Sequence, residues 1–414
     1  MSNPDSNTNQ PRLLSFTLDA WSVLGGRITV SLHDGVAVLV GLNGAGKSSV
    51  IEGFEAISLY AIGKINRVRQ NDDDSIPKIL EIEVLTPTVR LLKYNYELIT
   101  LSSSVEELNF EDSPDDKLDE SQFSCNACCQ YADGAKELVW TTEYGMTTFH
   151  NFHNMDSSIT NVVGSTNVIR RSTSLKPPRF EIPDEMQWLY SALNEVHIMG
   201  KTSVRKTSRR RLSQLRVSRK GIAPSSFDLV DSLAQKIFRR MGKQEINELE
   251  AICQRIGLGR KISTQKFVLS IDTKETFEDE SNEYIASVLL DGVNIGLLSD
   301  GTLRVLSILM ELLVSSPSST IIIEEPETQI HPAMLAKLLN EIETYTYGQN
   351  LIISTHSPQV VSWASPEQIN LVHRKEGQTF VHKLGKDDIR NVIEYLSEEG
   401  DLGEWIYSGI LDDE

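Results

Sequence analysis

The chain has 414 residues, 40% of them apolar, and its 40 Lys+Arg against 58 Asp+Glu give a formal charge of −18. That is length for one large α/β domain with insertions, or for two ordinary domains, with apolar material for a sizeable core. The acidic balance excludes a general attraction to nucleic acid, so any such contact needs a local basic patch. Residues 1–11 are polar and predict a disordered tail without the charged-then-apolar pattern of a leader. No apolar run approaches the roughly 20 residues that span a bilayer. Four cysteines in a chain of this size do not make a disulfide framework. The expectation is a cytoplasmic protein with no membrane contact.

In chain order, strands are predicted at Leu13–Leu18 and Arg27–Leu32. Val36–Val40 is a continuous apolar run stopped by Gly41, the pattern of a buried parallel strand. Val50, Phe54, Ile57 and Ala61 then share one helical face. Asn71–Asp74 reads as a turn, and Ile79–Leu85 and Leu91–Leu98 as strands of an antiparallel layer. Glu106–Glu120 carries eight acids and one lysine, and reads as a solvated loop. Leu138–Phe149 predicts a strand pair turning at Tyr144-Gly145. From about Pro177 to Ile262 the pattern is helical, clearest over Phe227–Met241 and Glu245–Ile256. Strands are expected at Phe267–Ile271 and Tyr284–Leu290. A helix (Leu303–Val314), strand (Thr320–Ile323), helix (Pro332–Tyr345) and strand (Leu351–Ser354) follow, with another strand at Ile369–His373. Such alternation implies a parallel α/β sheet.

Four segments carry chemistry. Gly41-Leu42-Asn43-Gly44-Ala45-Gly46-Lys47-Ser48 fits Gly-x4-Gly-Lys-Ser/Thr, between an apolar strand and an amphipathic helix. In that setting the backbone N–H groups of Asn43 to Ser49 surround phosphate oxygens at a helix N-terminus. Lys47 reaches the outer phosphates and the Ser48 hydroxyl ligates Mg²⁺. The plainer alternative is a glycine turn with a solvated lysine. Thr320–Ile323 ends in Glu324 and Glu325, one acid for the metal shell and one to deprotonate an attacking water; alternatively, the acids open a helix before Pro326. Leu298–Arg304 places Ser299 where it caps a helix, with Asp300 and Gly301 beside it. The same geometry offers a hydroxyl and amides to a phosphate, or is simply a capped core helix. His356 ends the strand at Leu351–Ser354; a lone histidine is usually structural, but this one stands one strand after the paired acids.

Together these segments resemble an ABC-type ATPase head. Leu298–Arg304 is similar to the ABC signature, with Asp300 in place of a glycine and Thr302 in place of a glutamine. Glu324-Glu325-Pro326-Glu327 and Gln329-Ile330-His331-Pro332 resemble the Walker B and D-loop of OLD and RecF-like ATPases. His356 matches the switch histidine. The resemblance covers about residues 12–62 and 285–375. It implies an α/β fold: a P-loop ABC-ATPase head with an antiparallel β layer and a helical insertion. It also implies ATP and Mg²⁺ as cofactors, with Ser48 and Glu324 at the metal and Glu325 and His356 catalytic. Two heads pair head to tail, so that Ser299, Asp300 and Gly301 of one head face the γ-phosphate held by Lys47 of the other. Gln70 stands at about the spacing of a Q-loop glutamine. The domain expectation is a tail (1–11), an N-terminal lobe (12–100), an insertion (101–280), a C-terminal lobe (281–375) and an extension (376–414).

Residues 201–220 hold nine basic residues and no acid: Lys201, Arg205, Lys206, Arg209, Arg210, Arg211, Arg216, Arg219 and Lys220. This is the footprint of a phosphate-binding surface for DNA or RNA, or a solvated flexible loop, or a docking site for the chain's own acidic loop or a partner protein. Cys125, Cys128 and Cys129 with His150 and His153 faintly suggest zinc, at a spacing wider than metal fingers use. Stand-alone heads of this build resemble ATPase subunits of bacterial antiphage systems of the Septu and PARIS types, which act with a separately encoded nuclease or toxin. OLD nucleases add a Toprim domain after the head, and about 40 residues after Ile369–His373 are too few for one, so no nuclease is expected here. The expected function is an ATP-hydrolysing switch or sensor; the alternatives are a RecF-like DNA repair clamp and a non-hydrolysing ATP-gated scaffold.

Overall fold

The computed structural model describes residues 10–62, 76–100, 123–132, 138–143, 146–150, 162–163, 183–194, 196–199, 215–218, 221–222, 229–268, 284–316, 318–346 and 348–385. The turn at 71–74, the acidic loop at 106–120 and Gln70 lie outside them, as does most of the basic segment. The chain divides into two compact units. The first comprises Met1–His197, Ser316–Ile322 and Gly348–Glu414, the second Ile198–Ser315 and Ile323–Tyr347.

Unit 1 opens with β1 (Arg12–Asp19), β2 (Ile28–Ser31) and β3 (Val36–Val40), followed by helix α1 (Lys47–Ala61). β4 (Ile79–Leu85) and β5 (Leu91–Thr100) come next, then β6 (Phe123–Tyr131), β7 (Leu138–Glu143), β8 (Met146–Phe149) and β9 (Val162–Val163). All but β3 form one sheet in the order β2-β1-β4-β5-β6-β7-β8-β9. β4 alternates strictly, burying Leu80, Ile82 and Val84, because one face of this antiparallel layer is covered and the other is not. α1 is part of the cover: Phe54 packs on Phe16 with ring centroids 4.2 Å apart and the rings tilted by 32°. A side chain at Gly53 would come within 2.6 Å of the Trp21 ring, so glycine is what lets Trp21 lie against the helix.

The second sheet runs β10 (Val196–Met199), β16 (Thr320–Glu324), β17 (Asn350–Thr355), β3, β18 (Ile369–Lys375) and β19 (Gln378–Lys383). β3 pairs in parallel with β17 on one side and β18 on the other. β17 is buried along its whole length and β16 up to Ile323, which is why both read as unbroken apolar runs. Val38 and Val40 pack with Val361 of α7 (Pro358–Trp363) and with Ala364, Ile369 and Leu384. The hydroxyl of Thr320 donates to the carbonyl of Ala192 in α2 (Asp184–Asn194).

Unit 2 holds a smaller sheet in the order β12-β11-β14-β13, with β15 paired to β14. Its strands are β11 (Leu215–Ser218), β12 (Gly221–Ile222), β13 (Ile262–Val268), β14 (Tyr284–Leu290) and β15 (Val293–Asn294). The helices are α3 (Leu229–Arg239), α4 (Lys243–Ile256), α5 (Asp300–Val314) and α6 (Pro332–Tyr345). α5 is buried nearly all round. Arg304, Ser307 and Glu311, which interrupt its apolar run, are buried with the rest, and Glu311 pairs with Lys236 of α3.

The expectations for β1 to β5, α1, the β7–β8 hairpin, α3 to α6 and β14, β16, β17 and β18 match these elements within a few residues at their ends. Three differences stand out. The stretch expected to be helical contains β10, β11 and β12. Of the strand expected at Phe267–Ile271, Phe267 and Val268 fall in β13, which starts earlier and pairs Ile262 with Leu290 and Val268 with Tyr284, while 269–271 lie outside the described residues. β6 and β19 were not expected. The adjacent Cys128 and Cys129 of β6 point to opposite faces, as successive strand residues must. Burial pushes the Cys129 thiol well up, and His150 is hydrogen-bonded to Thr141, while His153 and the Cys125 side chain lie outside the described residues; Cys253 is likewise buried, its thiol pushed up to about 12. Among the described residues no group of His, Cys, Asp and Glu is placed to hold a metal ion, and no helix is long and apolar enough to cross a membrane.

Candidate nucleotide-binding site

In unit 1, the central strand β3 delivers the chain directly into the loop Gly41–Gly46. Two tight contacts shape the loop. A Cβ at Gly41 would fall 2.1 Å from the carbonyl oxygen of Val372, on the neighbouring strand β18. Gly46 has φ 105°, and a Cβ there would fall 2.5 Å from Oγ1 of Thr379, on β19. Both glycines are therefore needed for the backbone to lie this close to the sheet. The Thr379 hydroxyl is fully buried and has no hydrogen-bond partner among the described residues.

Gly46 is the N-cap of α1, and no side chain caps the helix. Its first turn contains no acid, so the positive end of the helix dipole is not neutralised from within. Asn43 and Gly44 are exposed, Ala45 and Lys47 are buried, and Ser48 and Ser49 are half-buried. The Lys47 ammonium donates to the carbonyls of Gly41 (2.5 Å) and Leu42 (3.0 Å), curling back over the loop. A helix N-terminus with no acid in its first turn and a lysine folded back over the loop are the features of an anion cradle. His356 stands beside it. Thr355 pairs with Val40 across the parallel β17–β3 ladder, so His356 and Gly41 leave adjacent strands at the same level. The His356 side chain is exposed, and the turn after it is held by Ser357 N–H donating to the Thr355 hydroxyl.

In unit 2, Ser299 is the N-cap of α5, its Oγ accepting from Thr302 N–H at 3.2 Å. Ser299 and Asp300 are exposed, so the cap faces outward. Gly301 lies against the loop that follows β16: a Cβ there would be 2.2 Å from the Gln329 carbonyl oxygen. Glu324 ends β16 half-buried. Glu325 is buried and has φ 45°, a left-handed conformation that costs a residue with a side chain about 1 kcal/mol. No helix starts at Pro326. The chain turns instead, with Thr328 N–H donating to the Glu325 carbonyl and the Thr328 hydroxyl to its Oε2 at 3.2 Å. α6 begins later, at Pro332, capped by His331 Nδ1 accepting from Ala333 N–H.

Arg304, one turn into α5, was not foreseen as part of any site. Its side chain is buried, and Nη2 donates both to the Glu324 carbonyl and, at 3.0 Å, to the Glu325 carbonyl. Burial pulls its pKa down, opposed by the charges of Glu327, Glu325 and Glu324. The available signal was a lone basic residue inside an apolar helix, since a buried guanidinium needs partners. Of the basic segment only Arg216 is placed, in β11 opposite Ile285; Arg205, Lys206, Arg209, Arg210, Arg211, Arg219 and Lys220 lie outside the described residues.

A family model described as "AAA domain, putative AbiEii toxin, Type IV TA system" matches residues 192–362. That span contains Ser299, Arg304, the paired acids and His356, while the loop at 41–48 precedes it. No curated protein matches. The chain is similar to solved SMC head structures, each covering most of both chains. An SmcHead bound to the C-winged helix domain of ScpA is 13% identical, over 92% of this chain and 99% of that one, with TM-score 0.43. The SMC head domain of Thermotoga maritima is 12% identical over 90% and 99%, TM-score 0.39. The Pyrococcus furiosus Smc head bound to a ScpA C-terminal domain is 12% identical over 94% and 100%, TM-score 0.41. The family match over residues 192–362 and the mixed α/β fold around the Gly41–Ser48 loop support an ATPase of the ABC/AAA type.

Proposed function

We propose that the chain hydrolyses ATP between two copies of itself and acts as a nucleotide-driven switch on a separately encoded nuclease or toxin in antiphage defence. The observation that supports this reading is that the chain carries a loop of phosphate-binding form in unit 1 and an outward-facing serine cap in unit 2. The Gly41–Gly46 loop with Lys47 is built to hold phosphates. The Ser299 cap, exposed on its own helix, is built to meet a phosphate held elsewhere. Lys47 and the N–H groups of Asn43 to Ser49 bind the phosphate chain. Bound Mg²⁺ neutralises charge on the phosphates, with the Ser48 hydroxyl and the Glu324 carboxylate as its protein partners. Glu325, buried and oriented by Thr328, takes the proton of the attacking water. His356 contacts the terminal phosphate, and Ser299, Asp300 and Gly301 close over it from the second copy. The family model's description, "AAA domain, putative AbiEii toxin, Type IV TA system", supports a role alongside a partner in a system of that kind.

Mixing two inactive variants tests the composite site. Ser299→Arg keeps an intact loop but blocks the cap, and Lys47→Met does the reverse. Each alone is expected to release little phosphate. Mixed in equal amounts, they form pairs with one whole site and recover about a quarter of wild-type activity, half the pairs being mixed with one site each. No recovery, with both variants folded, contradicts sharing of the site between copies. For the defence role, cells carrying the chain at its native locus are expected to lose protection from phage on Lys47→Met. Equal plating of phage on both strains counts against it.

A further inference from the structure

We infer that Arg304 is a positioning residue for hydrolysis, fixing the backbone of Glu324 and Glu325 and tying the Ser299 turn of each head to the base of that same head. The inference rests on the reading of Glu325 as the base. The geometry on which it stands lies wholly within unit 2.

The loop Glu325–Gln329 carries a left-handed residue at each end, Glu325 with φ 45° and Gln329 with φ 65°. Neither is a residue that adopts this conformation by preference, so the surroundings impose it. The first turn of α5 touches both ends. At the start of the loop, Arg304 Nη2 donates to the carbonyls of Glu324 and Glu325 and so fixes the peptide planes on either side of the Glu325 Cα. At its end, the Gln329 carbonyl lies where a Cβ of residue 301 would stand, leaving no slack between Gly301 and the loop. Ser299, Gly301 and Arg304 lie within six residues at one helix N-terminus, joined by its continuous helical backbone. A phosphate that seats on Ser299 therefore shifts Arg304, and Arg304 shifts the carbonyl that orients Glu325. In a pair of heads this makes each site sense whether the other is loaded.

The side chain suits the task. A planar guanidinium fixes two acceptors through a fork of set geometry, which a lysine ammonium cannot reproduce. Its charge also lies against three carboxylates, those of Glu327, Glu325 and Glu324, and offsets their mutual repulsion. The inference distinguishes Arg304 from a residue that merely fills the core. A filler affects unfolding; a positioning residue affects the rate of the chemical step at unchanged ATP affinity.

The test measures phosphate release against ATP concentration for wild type, Arg304→Lys, Arg304→Met and Gly301→Ala. Binding of a fluorescent ATP analogue and thermal unfolding are recorded in parallel. Arg304→Met is expected to lower kcat about 10- to 100-fold with KM within about twofold, since a misplaced catalytic group loses rate rather than binding. Arg304→Lys recovers part of that loss. Gly301→Ala, which pushes on the far end of the loop, lowers kcat in the same way. Should Arg304→Met fail to fold, Arg304→Lys and Gly301→Ala carry the comparison. Variants that are folded, bind the analogue and keep wild-type kcat overturn the inference, provided Glu325→Gln is inactive. Full activity in Glu325→Gln instead overturns the reading of the base itself.

Discussion

The Glu325→Gln variant is expected to release phosphate about 10²- to 10⁴-fold more slowly than wild type, while binding ATP as tightly. Glutamine keeps the shape and the contact to Thr328 but accepts no proton. Glu325 is buried, so the substitution exchanges one buried polar group for another and leaves no cavity. Its backbone is held by the Thr328 N–H and by Arg304, neither of which depends on the carboxylate. The fold is therefore expected to survive and the effect to fall on kcat. The same change at Glu324 acts differently, because that residue ends the strand and serves the Mg²⁺ shell. Its loss is expected to raise the Mg²⁺ concentration needed for half-maximal activity rather than remove the base. Phosphate release at saturating ATP, with Mg²⁺ varied, separates the two acids.

Lys47→Met is expected to weaken ATP binding about 10- to 100-fold, as for loss of a buried hydrogen bond to a charged group. Lys47 is 5% exposed, and its ammonium rests on two carbonyls of its own loop. When phosphate oxygens arrive they offer the ammonium a stronger, charged acceptor, and the lysine changes partner without leaving its place. Methionine fills the same volume with no donor, so the loop keeps its packing against Val372 and Thr379 but loses its only side-chain cation. Equilibrium binding of a fluorescent ATP analogue measures the effect. Unchanged affinity contradicts the anion cradle at Gly41–Gly46.

Much of the site was legible because its signals are local. An apolar run halted by a glycine marks β3 and the loop after it, and runs of the same kind mark β16 and β17. The Ser299 cap was legible for the same reason: a cap is made within four residues. What supports the loop was not legible. Val372 and Thr379 lie more than 300 residues from the glycines they touch, and nothing in their own neighbourhood marks them. β19 was read as extension because Gln378–Lys383 carries no apolar run, although it closes the sheet that bears the loop. β13 was misplaced for a related reason. It is the last strand of its sheet, so Ser263, Thr264, Gln265 and Lys266 are exposed and give no burial signal. β6 hides its pattern behind cysteines and amides, its buried face carrying Ala127, Cys129 and Tyr131 among the described residues. The partners of Arg304 are backbone carbonyls 20 and 21 residues further along the chain, which no local pattern marks.

The central claim is that ATP joins two heads and its hydrolysis releases them. Mass in solution of the Glu325→Gln variant, with ATP and Mg²⁺ and then with ADP, tests it most directly. The account predicts twice the protomer mass, or twice that of the resting assembly, with ATP, and a return to the starting mass with ADP. A single mass under both nucleotides, in protein shown to bind ATP, contradicts it.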